Sequence, residues 1–302
     1  MSLRRGILNV VLRLTEKRHL ARATDPMELR EAFERKARFW FRAPRGSRFV
    51  DARMDGVPVT WAYGPGVGDE GPIILYLHGG GYVFGSPRTH RAMVARLSGI
   101  TRLPAVLPDY RLAPEHVFPA ALEDALAVYI ELSAQREVIL GGDSAGGGLA
   151  LALLGEILKH GLRRPAGVFC FSPLTDMTYS GDSMVANRQA DAMLPAKRAG
   201  ELGDMYLQGV SPRDPRASPL FAQMRGAPPV WMAAGDTEIL LDDTRRMAAR
   251  LREQGVDVTE EIKHDLPHVW PVFGPVLLPE AGETLTRLAG WISRLRQSSG
   301  DS

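Results

Sequence analysis

Val138-Ile139-Leu140-Gly141-Gly142-Asp143-Ser144-Ala145-Gly146-Gly147-Gly148-Leu149-Ala150-Leu151 is the stretch on which the fold turns. A short apolar run, Val138–Gly141, reads as a buried strand, and the residues from 145 to about 160 read as a helix. Between them stands Gly142-Asp143-Ser144-Ala145-Gly146, a G-x-S-x-G pattern in strand–turn–helix context. A serine on so tight a turn leaves no room for side chains two residues before and two after it, which explains both glycines. The turn lifts the Ser144 hydroxyl above the sheet end, and the following helix aims its first N–H groups at developing negative charge. Ser144 is therefore read as a nucleophile, in preference to a plain Gly-rich turn.

Working outward, a second motif lies upstream. His78-Gly79-Gly80-Gly81-Tyr82 directly follows the apolar run Ile73–Leu77. Three glycines free the backbone to point N–H groups at a substrate oxygen, as acyl transfer requires. A phosphate loop is the alternative, but neither a Walker Lys-Ser/Thr nor a G-x-G-x-x-G opening a helix is present. His78 ends a strand and is read as structural. Further strands are expected at Ala105–Leu107, Val168–Phe171, Val230–Ala233 and Val256–Ile262, with helices at about 87–99, 119–134, 240–254 and 279–296. Phe49–Met54 and Val57–Ala62 flank Asp55-Gly56, a hairpin signal. The sum is an α/β protein with a mostly parallel sheet covered by helices on both faces. The segment 175–225 breaks the rhythm and reads as a helical insertion.

A serine nucleophile needs a base and an acid. In hydrolases with this serine turn the order is Ser, Asp/Glu, His. His264 and His268 follow the last expected strand, and His268, deeper in the loop after Pro267, is the expected base; His264 is expected to be a solvated residue at the strand exit. Asp236 and Glu238, in the loop after Val230–Ala233, compete as the acid, and residue chemistry alone does not choose between them. Asp242 and Asp243 are expected to cap the next helix.

Composition sets the frame. The 302 residues are 45% apolar and 24% charged with a net charge of +2, which excludes a disordered chain and makes no case for nucleic acid. One cysteine, Cys170, cannot form an internal disulfide; it is read as a buried strand residue, and a reducing, cytoplasmic location is expected. Residues 1–45 hold 12 Lys/Arg against 5 Asp/Glu, a local charge of +7. Within them Ile7, Val10, Val11 and Leu14 form a helical apolar stripe among arginines. It lacks the features of a signal peptide. Packing of this stripe on the protein is the expectation, and contact with a membrane surface the alternative. Phe39, Trp40 and Phe41 either wall a pocket or pack a helix end.

Taken together, His78-Gly79-Gly80-Gly81, Asp109-Tyr110-Arg111-Leu112-Ala113-Pro114-Glu115-His116, Gly142-Asp143-Ser144-Ala145-Gly146-Gly147 and Pro267-His268 resemble the hormone-sensitive-lipase-like family of α/β-hydrolase esterases over about residues 45–295. The resemblance implies an α/β-hydrolase fold and carboxylic-ester hydrolysis through an acyl-serine, with short acyl chains favoured. It also implies an oxyanion hole from the N–H groups of Gly79, Gly80 and Ala145. Glu238 occupies the frame of the usual catalytic Asp, a departure similar to a branch that uses Glu. Asp109, Arg111 and Glu115 are expected to support the glycine loop and the serine turn. The implied organisation is N-terminal cap helices over residues 1–45, and a catalytic domain over 46–302 with a cap insertion at about 175–225. A small-molecule ester is the expected partner, and a homodimer through the last strand is a further expectation. Neither a metal nor an organic cofactor is implied. Amide or arylformamide hydrolysis would use the same machinery, and a small-molecule receptor on this fold would not need His268.

Overall fold

Unbroken runs of apolar residues make the central strands, because a parallel strand is buried on both faces. Ile73–Leu77 and Val138–Asp143 are buried at every position. In this computed structural model, which describes residues 3–300, eight strands form one sheet. They are β1 (Arg48–Met54), β2 (Val57–Tyr63), β3 (Ile73–Leu77), β4 (Ala105–Pro108), β5 (Val138–Asp143), β6 (Gly167–Phe171), β7 (Val230–Gly235) and β8 (Val258–Lys263). Their order is β1-β2-β4-β3-β5-β6-β7-β8. β1 and β2 form the antiparallel hairpin around Asp55-Gly56, β2 joins β4 antiparallel, and every other pair is parallel. The last strand lies at a sheet edge and begins at Val258, two residues later than the sequence pattern suggests. Val256 instead packs in the core under the turn that leads into it.

Three helices precede the sheet: α1 (Leu3–Leu14), α2 (Glu16–Arg22) and α3 (Pro26–Trp40). Then α4 (Pro87–Thr101), α5 (Ala120–Gln135) and α6 (Ser144–Lys159) alternate with strands. The segment after β6 holds α7 (Ser183–Ala186) and α8 (Ala196–Leu207), and α9 (Leu241–Glu253), α10 (Gly274–Leu277) and α11 (Pro279–Gly300) complete the chain. Two apolar cores lie on either side of the sheet. One gathers Leu75, Leu140, Leu149 and Met247; the other gathers Ile74, Ile139, Trp231 and Leu285. Among the described residues no helix is long and apolar enough to cross a membrane.

Two expectations are corrected. First, α1 does not pack through Ile7, Val10, Val11 and Leu14, all of which face solvent. Its inward face is Arg5, Asn9 and Leu12, because the loop beneath presents polar acceptors: the His264 carbonyl takes Arg5 Nη1 at 3.0 Å and the Asp265 carbonyl takes Asn9 Nδ2 at 3.0 Å. Second, Asp242 and Asp243 lie in the first turn of α9 but reach outward from it. Asp242 accepts the Ser183 N–H at 2.8 Å. Asp243 is fully buried, and one oxygen accepts the N–H groups of Thr175 and Asp176 at 2.7 and 2.9 Å. These carboxylates bind the chain leaving β6 to α9 and so position the residues that line the site.

Burial pushes the Asp243 carboxyl up to about 7, despite the two N–H groups it accepts. Its folded value lies above its unfolded value, so the stability of the neutral form is fully present below about pH 4 and is lost as pH rises through about 7. Asp243→Asn keeps the acceptor without a charge. Between about pH 4 and 7, where this group makes the wild type lose stability, thermal unfolding of the variant is expected to be flat at this position. Asp243→Ala, which strands two buried N–H groups, is expected to lose about 2–3 kcal/mol.

Candidate active site

Ser144 opens α6 directly after β5, and its backbone is left-handed at φ +52°. Non-glycine residues rarely take that conformation, at a cost of about 1–3 kcal/mol. Close packing holds it: a Cβ on Gly146 would collide with the carbonyls of Leu77 and His78 at the end of β3. The serine hydroxyl is thereby directed over the sheet end. Its Oγ lies 2.9 Å from His268 Nε2, and His268 Nδ1 donates to Glu238 Oε2 at 2.6 Å. The structure thus brings Ser144, His268 and Glu238 into one line, with both His268 and Glu238 buried.

Each member of that line has its own support. Glu238 Oε1 accepts from the Ser172 hydroxyl at 2.8 Å and the Gly235 N–H at 2.5 Å. The Ser172 hydroxyl oxygen also takes the Val269 N–H at 3.2 Å, next to His268. Asn187 Nδ2 donates to the carbonyls of Asp236 and Glu238 at 3.0 and 2.8 Å. Asp191, buried, accepts the Ile239 N–H at 2.9 Å through one oxygen and the N–H groups of Met193 and Leu194 through the other. Lys17 of α2 donates to the Asp191 carbonyl at 2.7 Å. The loop that holds Glu238 is therefore fastened to the covering segment on both sides of that residue. Burial alone would lower the His268 pKa, but the Glu238 carboxylate outweighs it and holds it above the ordinary 6.5.

Asp236 and His264 form a separate pair. His264 Nδ1 donates to Asp236 Oδ2 at 2.7 Å, and Asp236 Oδ1 accepts the Asp265 N–H at 2.7 Å. His264 is exposed, as its place at a strand exit suggests, but it is paired rather than merely solvated. The loop that holds this pair is the one that seats Arg5 and Asn9 of α1.

The glycine loop faces the serine turn through Asp143. This buried carboxylate accepts the Tyr76 hydroxyl at 2.7 Å and the Gly79 N–H at 3.1 Å, and His90 Nε2 lies 3.3 Å away. Burial would raise its pKa, but His90 and the Tyr76 hydroxyl hold it below the ordinary value of a carboxylate. Gly79 is thus engaged, whereas the Gly80 N–H has no partner among the described residues. Gly80 has φ +127° and lies against the Phe84 carbonyl, so no other residue fits there. Ala145 sits in the first turn of α6, where N–H groups lack an intrahelical acceptor. His78 is buried, its pKa lowered to about 3 first by desolvation and then by His90, and so stays neutral.

The expected support roles of Asp109 and Arg111 are corrected. Arg111 is drawn to Asp124 at 3.0 Å and Glu123 at 3.1 Å on α5, away from the glycine loop. Asp109 makes no side-chain hydrogen bond among the described residues. The neighbour between them does the supporting: the Tyr110 hydroxyl donates to the His78 carbonyl at 2.6 Å, and its ring stacks on His78 at 4.2 Å. Glu115 acts through Arg30 of α3, which it holds at 2.6 Å while Arg30 donates to the carbonyls of Val83 and Ala113, both at 2.8 Å. Sequence reading also missed Ser172, Asp143, His90, Asn187 and Asp191 as supports. Asp143 alone carried a signal, its place inside the serine motif. Cys170 is buried, and burial pushes its thiol pKa up.

A cavity of about 340 Å³ opens over Ser144 and His268. Its walls are almost wholly apolar, with Leu12 and Trp40 from the N-terminal helices, Leu174 and Met177 after β6, and Leu202 on α8. Phe41 also lines it, whereas Phe39 does not. Among the described residues no group of three or more His, Cys, Asp or Glu is placed to hold a metal ion.

Residues 74–272 match the family model described as alpha/beta hydrolase fold. The chain is 37% identical over 236 residues to an acetyl-hydrolase of Streptomyces hygroscopicus, covering 77% of this chain and 78% of the relative. A solved esterase from the bacterial hormone-sensitive lipase family superposes with a TM-score of 0.90 at 36% identity, covering 98% of each chain. The chain belongs to this family of α/β-hydrolase carboxylic-ester hydrolases. EstE5, in a crystal soaked with p-nitrophenyl butyrate, is similar at TM-score 0.90 and 36% identity, covering 98% of this chain and 99% of EstE5.

The geometry around His268 sets a direct expectation. In an NMR titration its imidazole is expected to change charge above pH 6.5 in the wild-type enzyme. In Glu238→Gln, without the facing carboxylate, the transition is expected to move to lower pH. Asp236→Asn should leave it in place.

Proposed function

We propose that the enzyme hydrolyses short-chain acyl esters through an acyl-serine, with Ser144 as nucleophile, His268 as general base and Glu238 as the acid of the triad. The single observation that carries this reading is the hydrogen-bonded line from Ser144 through His268 to Glu238. His268 Nε2 takes the Ser144 proton as Oγ attacks the ester carbonyl, and Glu238 stabilises the imidazolium and fixes its orientation. The carbonyl oxygen becomes an oxyanion between the free N–H groups of Gly80 and Ala145. The Gly79 N–H stays with Asp143 as the anchor of the loop, so Gly80 and Ala145 carry the charge, where one lost donor is worth about 10²–10³ in rate. The alcohol leaves with the proton held by His268. Water then enters and gives a proton to His268 as its oxygen bonds to the acyl carbon; the acyl–Oγ bond breaks, His268 returns the proton to Ser144 Oγ, and the acid is released.

The cavity walls suit an apolar acyl or alcohol group, and their finite volume favours short chains. The acetyl-hydrolase relative and the nitrophenyl butyrate soaked into EstE5 point the same way. Residues 1–45 and the segment around 175–225 act as the cap in this reading, since both contribute walls over Ser144.

Turnover of p-nitrophenyl butyrate tests the assignment. Ser144→Ala is expected to lose about 10⁴-fold or more in kcat, and Glu238→Ala about 10³–10⁴-fold. Asp236→Ala is expected to stay within about threefold, as a residue outside the line. Substantial turnover by Ser144→Ala, or a severe loss confined to Asp236→Ala, overturns the assignment. Across nitrophenyl esters, kcat/KM is expected to peak between acetyl and hexanoyl and to fall about tenfold or more by dodecanoyl, as the chain outgrows the pocket.

A further inference from the structure

Helix α1 turns most of its apolar side chains to solvent and buries Arg5 and Asn9 beside Leu12. Leu3, Ile7, Val10 and Leu14 recur along one line of the helix and are 81, 57, 52 and 52% exposed. The apolar surface continues around the mouth of the catalytic cavity. Val11 and Trp40 line the cavity and are also exposed, and the Phe39 ring meets Trp40 edge-on at 5.2 Å. Val276 on α10, almost fully exposed, closes the far end, where its carbonyl accepts Arg4 Nη1 at 3.1 Å. Single exposed apolar side chains are ordinary, but a contiguous group at a pocket mouth marks an interaction surface.

Residues 1–45, which supply most of this surface, hold 12 Lys/Arg against 5 Asp/Glu. Arg18, Arg22, Arg35 and Arg38 are exposed and have no ion-pair partner among the described residues, against the acidic Glu28 and Glu31 in the same state. Arg18, His19 and Arg22 line a shallow hollow together with Leu14 and Glu28. Apolar side chains flanked by unpaired arginines fit a surface that is apolar beneath and negatively charged above. Against a second copy of this chain the same face would set arginine against arginine, at a cost in like-charge repulsion.

We propose that this face seats on an anionic phospholipid bilayer. Ile7, Val10, Leu14 and Phe39 enter the boundary between headgroups and acyl chains, while Arg18 and Arg22 meet the phosphates. The cavity mouth then opens at the bilayer, where apolar esters concentrate, and substrate reaches Ser144 without crossing water. The benefit to turnover rests on the esterase reading, but the binding does not, so the two fail separately.

Flotation of the full chain with vesicles tests the proposal, using phosphatidylcholine alone and phosphatidylcholine mixed with phosphatidylglycerol. Binding is expected to be about tenfold or more tighter on the anionic vesicles and to weaken as salt rises. The triple variant Ile7→Ser/Val10→Ser/Leu14→Ser is expected to lose about tenfold or more of that affinity. Arg18→Gln/Arg22→Gln is expected to lose much of the salt dependence. Both variants should keep wild-type turnover of dissolved p-nitrophenyl butyrate, which shows that they fold. Absence of wild-type binding to anionic vesicles, or equal binding by the triple variant, overturns the proposal. So does a wild-type dimer by light scattering that the triple variant converts to a monomer, because the patch would then lie between two copies.

Discussion

The close passage of α6 beneath the end of β3 is the constraint on which the site depends. Gly146 lies against the carbonyls of Leu77 and His78, so the first turn of α6 and the glycine loop are locked at one distance. Ser144 accepts a left-handed backbone to make that turn. Asp143 then spans the remaining gap, holding Tyr76 on β3, Gly79 in the loop and His90 on α4 with a single buried carboxylate. The Ser144 hydroxyl and its neighbouring N–H groups are positioned by packing and one charge, with little left to side-chain freedom.

A second layer of constraint separates two carboxylate–histidine pairs only two residues apart in sequence at the acid and four at the base. Glu238 turns inward to His268 and Asp236 outward to His264. The inward pair is buried and reaches Ser144; the outward pair steadies the loop that seats α1. The chain that covers the site is thus tied to the loops that carry His268 and Glu238. Lys17, bound to the Asp191 carbonyl, adds a further tie to the Glu238 loop.

Much of this was legible in the sequence wherever function and local geometry coincide. The serine turn, the glycine loop and the hairpin at Asp55-Gly56 are short-range patterns whose residue types follow from sterics, and their strands and helices lie close to where the pattern puts them. Asp236 against Glu238 stayed open because both sit in the same loop, and only the fold decides which histidine each meets. Ser172, Asn187 and Asp191 carry no local signal, since their partners are up to 97 residues away. Helix α1 misled for a physical reason: its apolar stripe predicts burial only if the surface beneath is apolar, and here that surface offers carbonyls to Arg5 and Asn9.

The central claim is that Ser144 is the one activated nucleophile, made so by His268 and Glu238. Intact-mass and peptide mapping after reaction with a fluorophosphonate measure this most directly. The account predicts a single adduct on the peptide holding Ser144, formed far more slowly in Glu238→Gln and not at all in Ser144→Ala. An adduct on another residue such as Ser172, or unchanged labelling of the Ser144→Ala protein, would contradict it.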